Sequence, residues 1–109
     1  VVFEPTAQKW HGQACHGFQL HVHDRSRYRP YQTTLRVLQA VMRQHQGQFS
    51  WKPPPYEYEH DKRPIDLIIG DAGICSRLED FEPLADIEAS WLAELDEYNE
   101  LRQQYQLYD

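Results

Sequence analysis

Residues 18–23, Phe18-Gln19-Leu20-His21-Val22-His23, alternate apolar and polar, the period-2 pattern of a strand with one buried face. Phe18, Leu20 and Val22 are expected to point inward, with Gln19, His21 and His23 on the opposite face. Asp24-Arg25-Ser26 follows with turn chemistry. The stretch before it carries Pro5, Gly12 and Gly17 among scattered polar residues and reads as an irregular entry segment. From Pro30 the period changes. Tyr31, Leu35, Leu38, Met42 and His45 recur at helical spacing, thickened by Val41. Pro30 suits a first helical turn, where its missing N–H is no loss, and Gly47 suits the position after the last turn. The spacing predicts a helix over about 30–46.

Gln48 to Trp51 reads as a short strand, and Pro53-Pro54-Pro55 behind it as an extended, polyproline-like rail. Tyr56-Glu57-Tyr58-Glu59 then alternates aromatic against carboxylate. Residues 64–70 fit two periods: Ile65, Ile68 and Ile69 suit a helical turn, Ile65, Leu67 and Ile69 a strand. Pro64 at the start and Gly70 at the end favour the short helix. Ile87, Trp91, Leu95, Tyr98, Leu101 and Tyr105 make one apolar stripe over about 86–104, opposite Glu88, Glu94, Glu97 and Glu100. Asp86 suits its N-cap, and Glu88 lies in the first turn, where the helix dipole favours an acid. The chain has no internal repeats and no low-complexity tracts. The expected fold class is α/β (α+β): one domain over 1–109. In it a small mixed β-sheet of three to four strands is packed by two main helices (about 30–46 and 86–104), with a short helix near 64–70.

Charge narrows the function. In 109 residues, 17 acids against 11 bases give a formal charge of −6, which argues against nucleic acid and against anionic membrane surfaces, both of which want clustered Lys and Arg. The 13 % aromatic content argues against disorder. Apolar runs are short, as in Leu67-Ile68-Ile69, far from the ~20 residues of a transmembrane helix. The opening Val1-Val2-Phe3-Glu4 lacks the charged-then-apolar pattern of a signal peptide. With Met42 as the only methionine, the chain reads as a processed or trimmed product. Cys15 and Cys75 stand outside any CxxC pair and read as two buried thiols, a single disulfide between them being the alternative.

Three features carry candidate chemistry. His21 and His23 lie two apart on one expected strand face, their Cβ atoms roughly 6–7 Å apart. A zinc site needs three or four ligands, however, and His11, His16 and Glu57 are dispersed, so a polar face under a cleft is favoured and no metal is assigned. Behind the proline rail, Tyr56 and Glu57 combine a flat apolar ring with a hydrogen-bond acceptor, the groups that sugars want. A stiffened segment loses little entropy when it presents them; the competing explanation is a charged edge strand that deters aggregation. Cys15 beside His16 has the parts of a thiol nucleophile and its base, but a structural thiol is favoured. The chain has no glycine-rich phosphate loop, no GxSxG elbow and no HExxH.

Four segments, in order, carry a resemblance. Phe3-Glu4-Pro5-Thr6 with His11 to Val22 resembles an "FxPT…hxGxxCxGvqihv" opening. Trp51 to Glu59 resembles "wrpppYEYe", Pro64 to Gly70 resembles "piDlltG", and the helix of Trp91 ending in Tyr105-Gln106-Leu107-Tyr108 resembles a "W…yLlY" end. Together they cover nearly all of the chain and resemble the C-terminal domain of the NamZ-like exo-β-N-acetylmuramidase family. One departure is Ile74-Cys75, where the family more often has a charged helix.

The resemblance implies a peptidoglycan-processing glycoside hydrolase of bacterial cell-wall turnover. In it an N-terminal Rossmann-like domain of the same protein carries much of the catalytic machinery, and the cleft between domains holds a peptidoglycan-derived sugar. It also implies a periplasmic or secreted setting. Substrate-cleft roles pass to Tyr56, Glu57, Asp66 and His21; no catalytic residue, cofactor or metal is assigned, and the fragment alone is expected to be inactive. The alternative is a stand-alone carbohydrate- or protein-binding module without catalysis.

Overall fold

A computed structural model describes residues 1–108 as six elements: β1 (Val2–Phe3), β2 (Cys15–His16), α1 (Pro30–Gln44), α2 (Pro64–Ile69), α3 (Ala72–Glu79) and α4 (Leu84–Gln103). The expected sheet of three to four strands does not form. The described residues hold a two-stranded antiparallel ribbon, Val2 opposite His16 and Phe3 opposite Cys15. It is tied at its open end by Gly17, whose N–H donates to the Val1 carbonyl at 2.9 Å. Gly17 lies close beneath the half-exposed Phe3 ring, which would have to shift slightly to admit a Cβ there at 3.0 Å.

Residues 18–23 form no strand and make no backbone–backbone hydrogen bond, and Phe18, Leu20 and Val22 are exposed. Alternation decides which side chains share a face; a strand also needs a neighbour to bond, and none is brought alongside. Residues 48–51 likewise stay irregular, and 56–59 close a tight turn with a single bridge between Tyr56 and Glu59. The architecture is therefore four helices and a small ribbon, which overturns the expected mixed sheet packed by two main helices.

The helices form for local reasons. Pro30 opens α1, and its N-terminal threonines fold their hydroxyls back onto carbonyls, Thr33 onto Arg29 at 2.8 Å and Thr34 onto Pro30 at 2.9 Å. Pro64 opens α2, and Gly70 closes it in the left-handed region at φ 86°, its N–H bonding the Asp66 carbonyl at 3.0 Å. Asp71 then caps α3, its carboxylate accepting from Gly73 N at 2.7 Å. Helix α4 starts at Leu84, directly after Pro83, and so sets Asp86 in the first turn rather than at the cap.

The core is a junction of three helices. Leu35 of α1, Ile74 and Leu78 of α3 and Ile87 of α4 are buried together, with Ile69, Leu84 and Trp91 packed around them. On α1 the buried line is Leu35, Gln39 and Met42, so a polar side chain sits inside. Gln39 is satisfied there by donating from Nε2 to the Glu82 carbonyl at 2.8 Å, which holds the turn before α4 against α1.

Candidate functional site

The proline rail leads into a turn, not an extended strand. Tyr56 N donates to the Glu59 carbonyl at 2.9 Å, and Glu59 N returns the bond to Tyr56 at 3.0 Å. Glu57 and Tyr58 are thereby the tip of a two-residue hairpin, with Glu57 in the left-handed region at φ 52°. Tyr58 is 96 % exposed, and the Glu57 side chain makes no hydrogen bond or ion pair among the described residues. Glu59 points the other way. Its carboxylate accepts from the backbone N–H groups of Asp61 at 2.8 Å and Lys62 at 3.2 Å, which holds it below the usual carboxylate range. The two glutamates therefore differ in kind: one is free, the other closes the loop.

The base of this loop is fixed by one carboxylate. Glu79 of α3 accepts from Trp51 Nε1 at 2.7 Å and from Arg63 Nη1 at 2.6 Å, both on the same oxygen. Trp51 precedes the rail and Arg63 follows the hairpin, so both ends of the 52–62 loop are pinned at a single point. Arg63 also grips Asp66 in a fork, Nε to Oδ2 at 2.9 Å and Nη2 to Oδ1 at 2.8 Å. Bidentate pairs of this kind fix geometry as well as charge. The Arg63 hydrogen bonds hold the Asp66 carboxyl below the usual range, against a smaller opposing effect of burial. The Cys75 thiol is fully buried and pushed up to about 12, by burial first and by the neighbouring Asp66 carboxylate second. Such a thiol is no nucleophile.

The sequence-predicted site residues thus fall in two places. Tyr56, Glu57 and Asp66 belong to one region, with Asp66 engaged at the foot of the loop and Glu57 free at its tip. His21 belongs to the N-terminal segment, its ring 6.4 Å from that of His23 in a stacked arrangement beside a hollow of about 380 Å³ that includes Asp24, Arg27 and Tyr28. None of Tyr56, Glu57 and Asp66 lines that hollow. Among the described residues no group of three His, Cys, Asp or Glu side chains is placed to hold a metal ion. Arg63 and Glu79, which position the loop, belong to no motif that the sequence displays. Arg63 three residues before Asp66 at a helix start was the available signal.

A second concavity lies between the start of α1 and the middle of α4. Tyr31 and Trp91 meet edge to face there, ring centroids 5.5 Å apart, and Leu92, Leu95 and Tyr98 continue a mostly apolar groove of about 590 Å³. Gln32 donates to Glu88 across it.

Over residues 1–108 the chain matches the family described as "Exo-beta-N-acetylmuramidase NamZ, C-terminal", and it belongs to that family. A relative, the peptidoglycan beta-N-acetylmuramidase NamZ of Bacillus subtilis (strain 168), is 26 % identical over 106 residues. The match takes in 97 % of this chain and 24 % of the relative, so the chain spans about a quarter of the length of the protein it matches. No solved structure matches the chain.

Proposed function

We propose that this chain is the C-terminal domain of a longer enzyme that removes N-acetylmuramic acid from peptidoglycan fragments, and that it supplies one wall of the sugar cleft. The observation that carries the reading is the pinned hairpin. A free carboxylate and an exposed aromatic ring stand at its tip, and both feet of the loop are fastened to Glu79. A loop ordered before binding loses less entropy on meeting a ligand. Glu57 then accepts hydrogen bonds from sugar hydroxyls or the acetamido N–H, and the Tyr56–Tyr58 pair offers apolar ring faces. Asp66 acts through Arg63 as the anchor of that wall, and His21 contributes from the N-terminal segment. The carboxyl pair that glycoside hydrolysis needs is assigned to the remainder of the protein.

The test uses the full-length gene product and a chromogenic N-acetylmuramic acid glycoside. Charge-assisted hydrogen bonds contribute on the order of 1.5–3 kcal/mol, so Glu57→Gln should lower kcat/KM by roughly tenfold to a hundredfold. Wild-type turnover in that variant would reduce the hairpin to a charged surface loop. A gene product no longer than this chain would favour a stand-alone binding module instead.

A further inference from the structure

The apolar stripe of α4 is longer than the core it packs on. Its first turns are covered: Ile87 is 0 % exposed, and Leu84 and Trp91 pack around the buried cluster. The same stripe then runs on through Leu95, Tyr98 and Leu101, at 45 %, 60 % and 51 % exposure, and the tail behind it leaves Tyr105, Leu107 and Tyr108 in the open. From Trp91 to the end of α4 this face extends about 18 Å at ~1.5 Å per residue. A helix with half of its seam dry and half wet is a helix missing a neighbour.

The molecule as a whole is under-covered to match. Its surface is 9308 Å², whereas a folded monomer of this mass exposes about 6,300 Å². Its radius of gyration is 17.5 Å, against about 13 Å for a compact domain of this length. The excess of roughly 3,000 Å² is ample for an inter-domain interface, which takes about 600–1,500 Å².

Charge selects the occupant. Glu88 and Glu94, expected on the opposite face, line the groove beside Trp91, Leu92, Leu95 and Tyr98, with Arg29 as its one basic residue. A second copy packed along this stripe would bring two such acidic helices to about 8–10 Å, roughly one Debye length at physiological salt. A partner with basic residues around an apolar groove meets no such repulsion. The homologue supplies a source for it, since about three quarters of that protein lies outside the match.

We propose that the outer half of α4, from Trp91 through Leu101, and the tail to Tyr108 form the docking seam for the larger remainder of the same polypeptide. That remainder receives the seam in an apolar groove rimmed by lysine or arginine. This rests on the reading that the chain is one domain of a longer muramidase.

The experiment takes the full-length gene product and the double variant Leu95→Glu/Leu101→Glu. Docked domains melt together, so the variant should split the transition or lower its first step by several degrees, and limited proteolysis between the two parts should quicken at least tenfold. The same pair in the 109-residue chain should shift melting by at most about 2–4 °C, because both positions are already exposed there. Glu94→Lys should loosen docking in the intact protein, and added salt should weaken docking of the wild type. Unchanged melting and proteolysis of the intact double variant would overturn the seam. A 109-residue chain that sediments as a dimer, and that the double variant disperses, would instead make a second copy the occupant. Glycoside turnover, read on the same samples, separates the two ideas. Coupled domains without turnover sink the muramidase reading alone; turnover with uncoupled wild-type domains sinks the seam alone.

Discussion

Glu57 holds a left-handed backbone conformation, φ 52°, that a side chain with a Cβ adopts at a cost of about 1–2 kcal/mol. Glycine would take that place in a hairpin tip selected for stability alone. Glu57→Gly should therefore keep the fold or raise its stability by up to ~1 kcal/mol, while full-length activity falls at least as far as in Glu57→Gln. Equal activity of the glycine variant, checked by kcat/KM beside thermal melting, would mean that the strain has no functional return. Arg63 and Asp66 behave differently. The folded pKa of Asp66 is depressed by Arg63, so its contribution is fully present above the ordinary carboxylate pKa and is lost as pH falls through the depressed folded value. Arg63→Ala should cost ~1–2 kcal/mol at neutral pH, a modest figure for hydrogen bonds to charged groups because the Arg63 side chain is 34 % exposed. It should also flatten the acid limb of the stability curve. Denaturant titrations from pH 7 down to pH 3 read both effects, and an acid limb unchanged by the substitution would place the acid sensitivity elsewhere.

At the scale of elements, Trp91 marks where α4 passes from covered to uncovered. Its ring meets Tyr31 at 5.5 Å and leans on the buried cluster, yet it is only partly buried. Trp91→Ala should cost about 2–3 kcal/mol, short of the ~3–5 kcal/mol of a fully enclosed tryptophan. A Tm change below a degree or two in the 109-residue chain would mean that α4 is held by Ile87 and Leu84 without it. The helices were largely legible beforehand because their signals are local: Pro30 and Pro64 at first turns, Gly70 at φ 86°, and 3.6-residue stripes. Helix α3 was missed although Asp71 caps it through Gly73 N, since its eight residues open on Ala72-Gly73 and carry barely one repeat of apolar spacing, Ile74, Cys75 and Leu78. The sheet failed for the opposite reason. Pairing is a relation between distant segments, and Phe18 to Val22 alternates as a strand should while lying beside nothing. The functional loop was half legible. The Pro-Pro-Pro-Tyr-Glu run pointed to a stiff presenting segment, but the turn that separates Glu57 from Glu59 depends on backbone bonds that no composition reveals.

At the scale of the molecule, the arrangement of carboxylates bears on whether this domain can act alone. Retaining glycosidases hold two carboxyl groups about 5–5.5 Å apart and inverting ones about 6.5–9.5 Å, with one free to protonate the leaving group. Three acids of the pinned loop and its base are already committed. Glu59 accepts backbone N–H groups, Asp66 sits in the fork of Arg63, and Glu79 holds Trp51 and Arg63. Asp66 and Glu59 are moreover held below the usual carboxylate range, the wrong direction for a general acid, whose pKa must be raised toward the working pH. Glu57 and Asp61 are the loop carboxylates left without a side-chain partner among the described residues, and neither is bonded to a neighbouring acid of the kind that keeps a general acid protonated. The 109-residue chain by itself should therefore show no turnover of a chromogenic muramic acid glycoside above the uncatalysed rate. The full-length protein should cleave it, and mixing the chain with a separately produced remainder should restore part of that activity if the α4 face is intact. Turnover by the isolated chain would move the catalytic pair into this domain, and restoration that survives Leu95→Glu/Leu101→Glu would show that the two parts meet on some other surface.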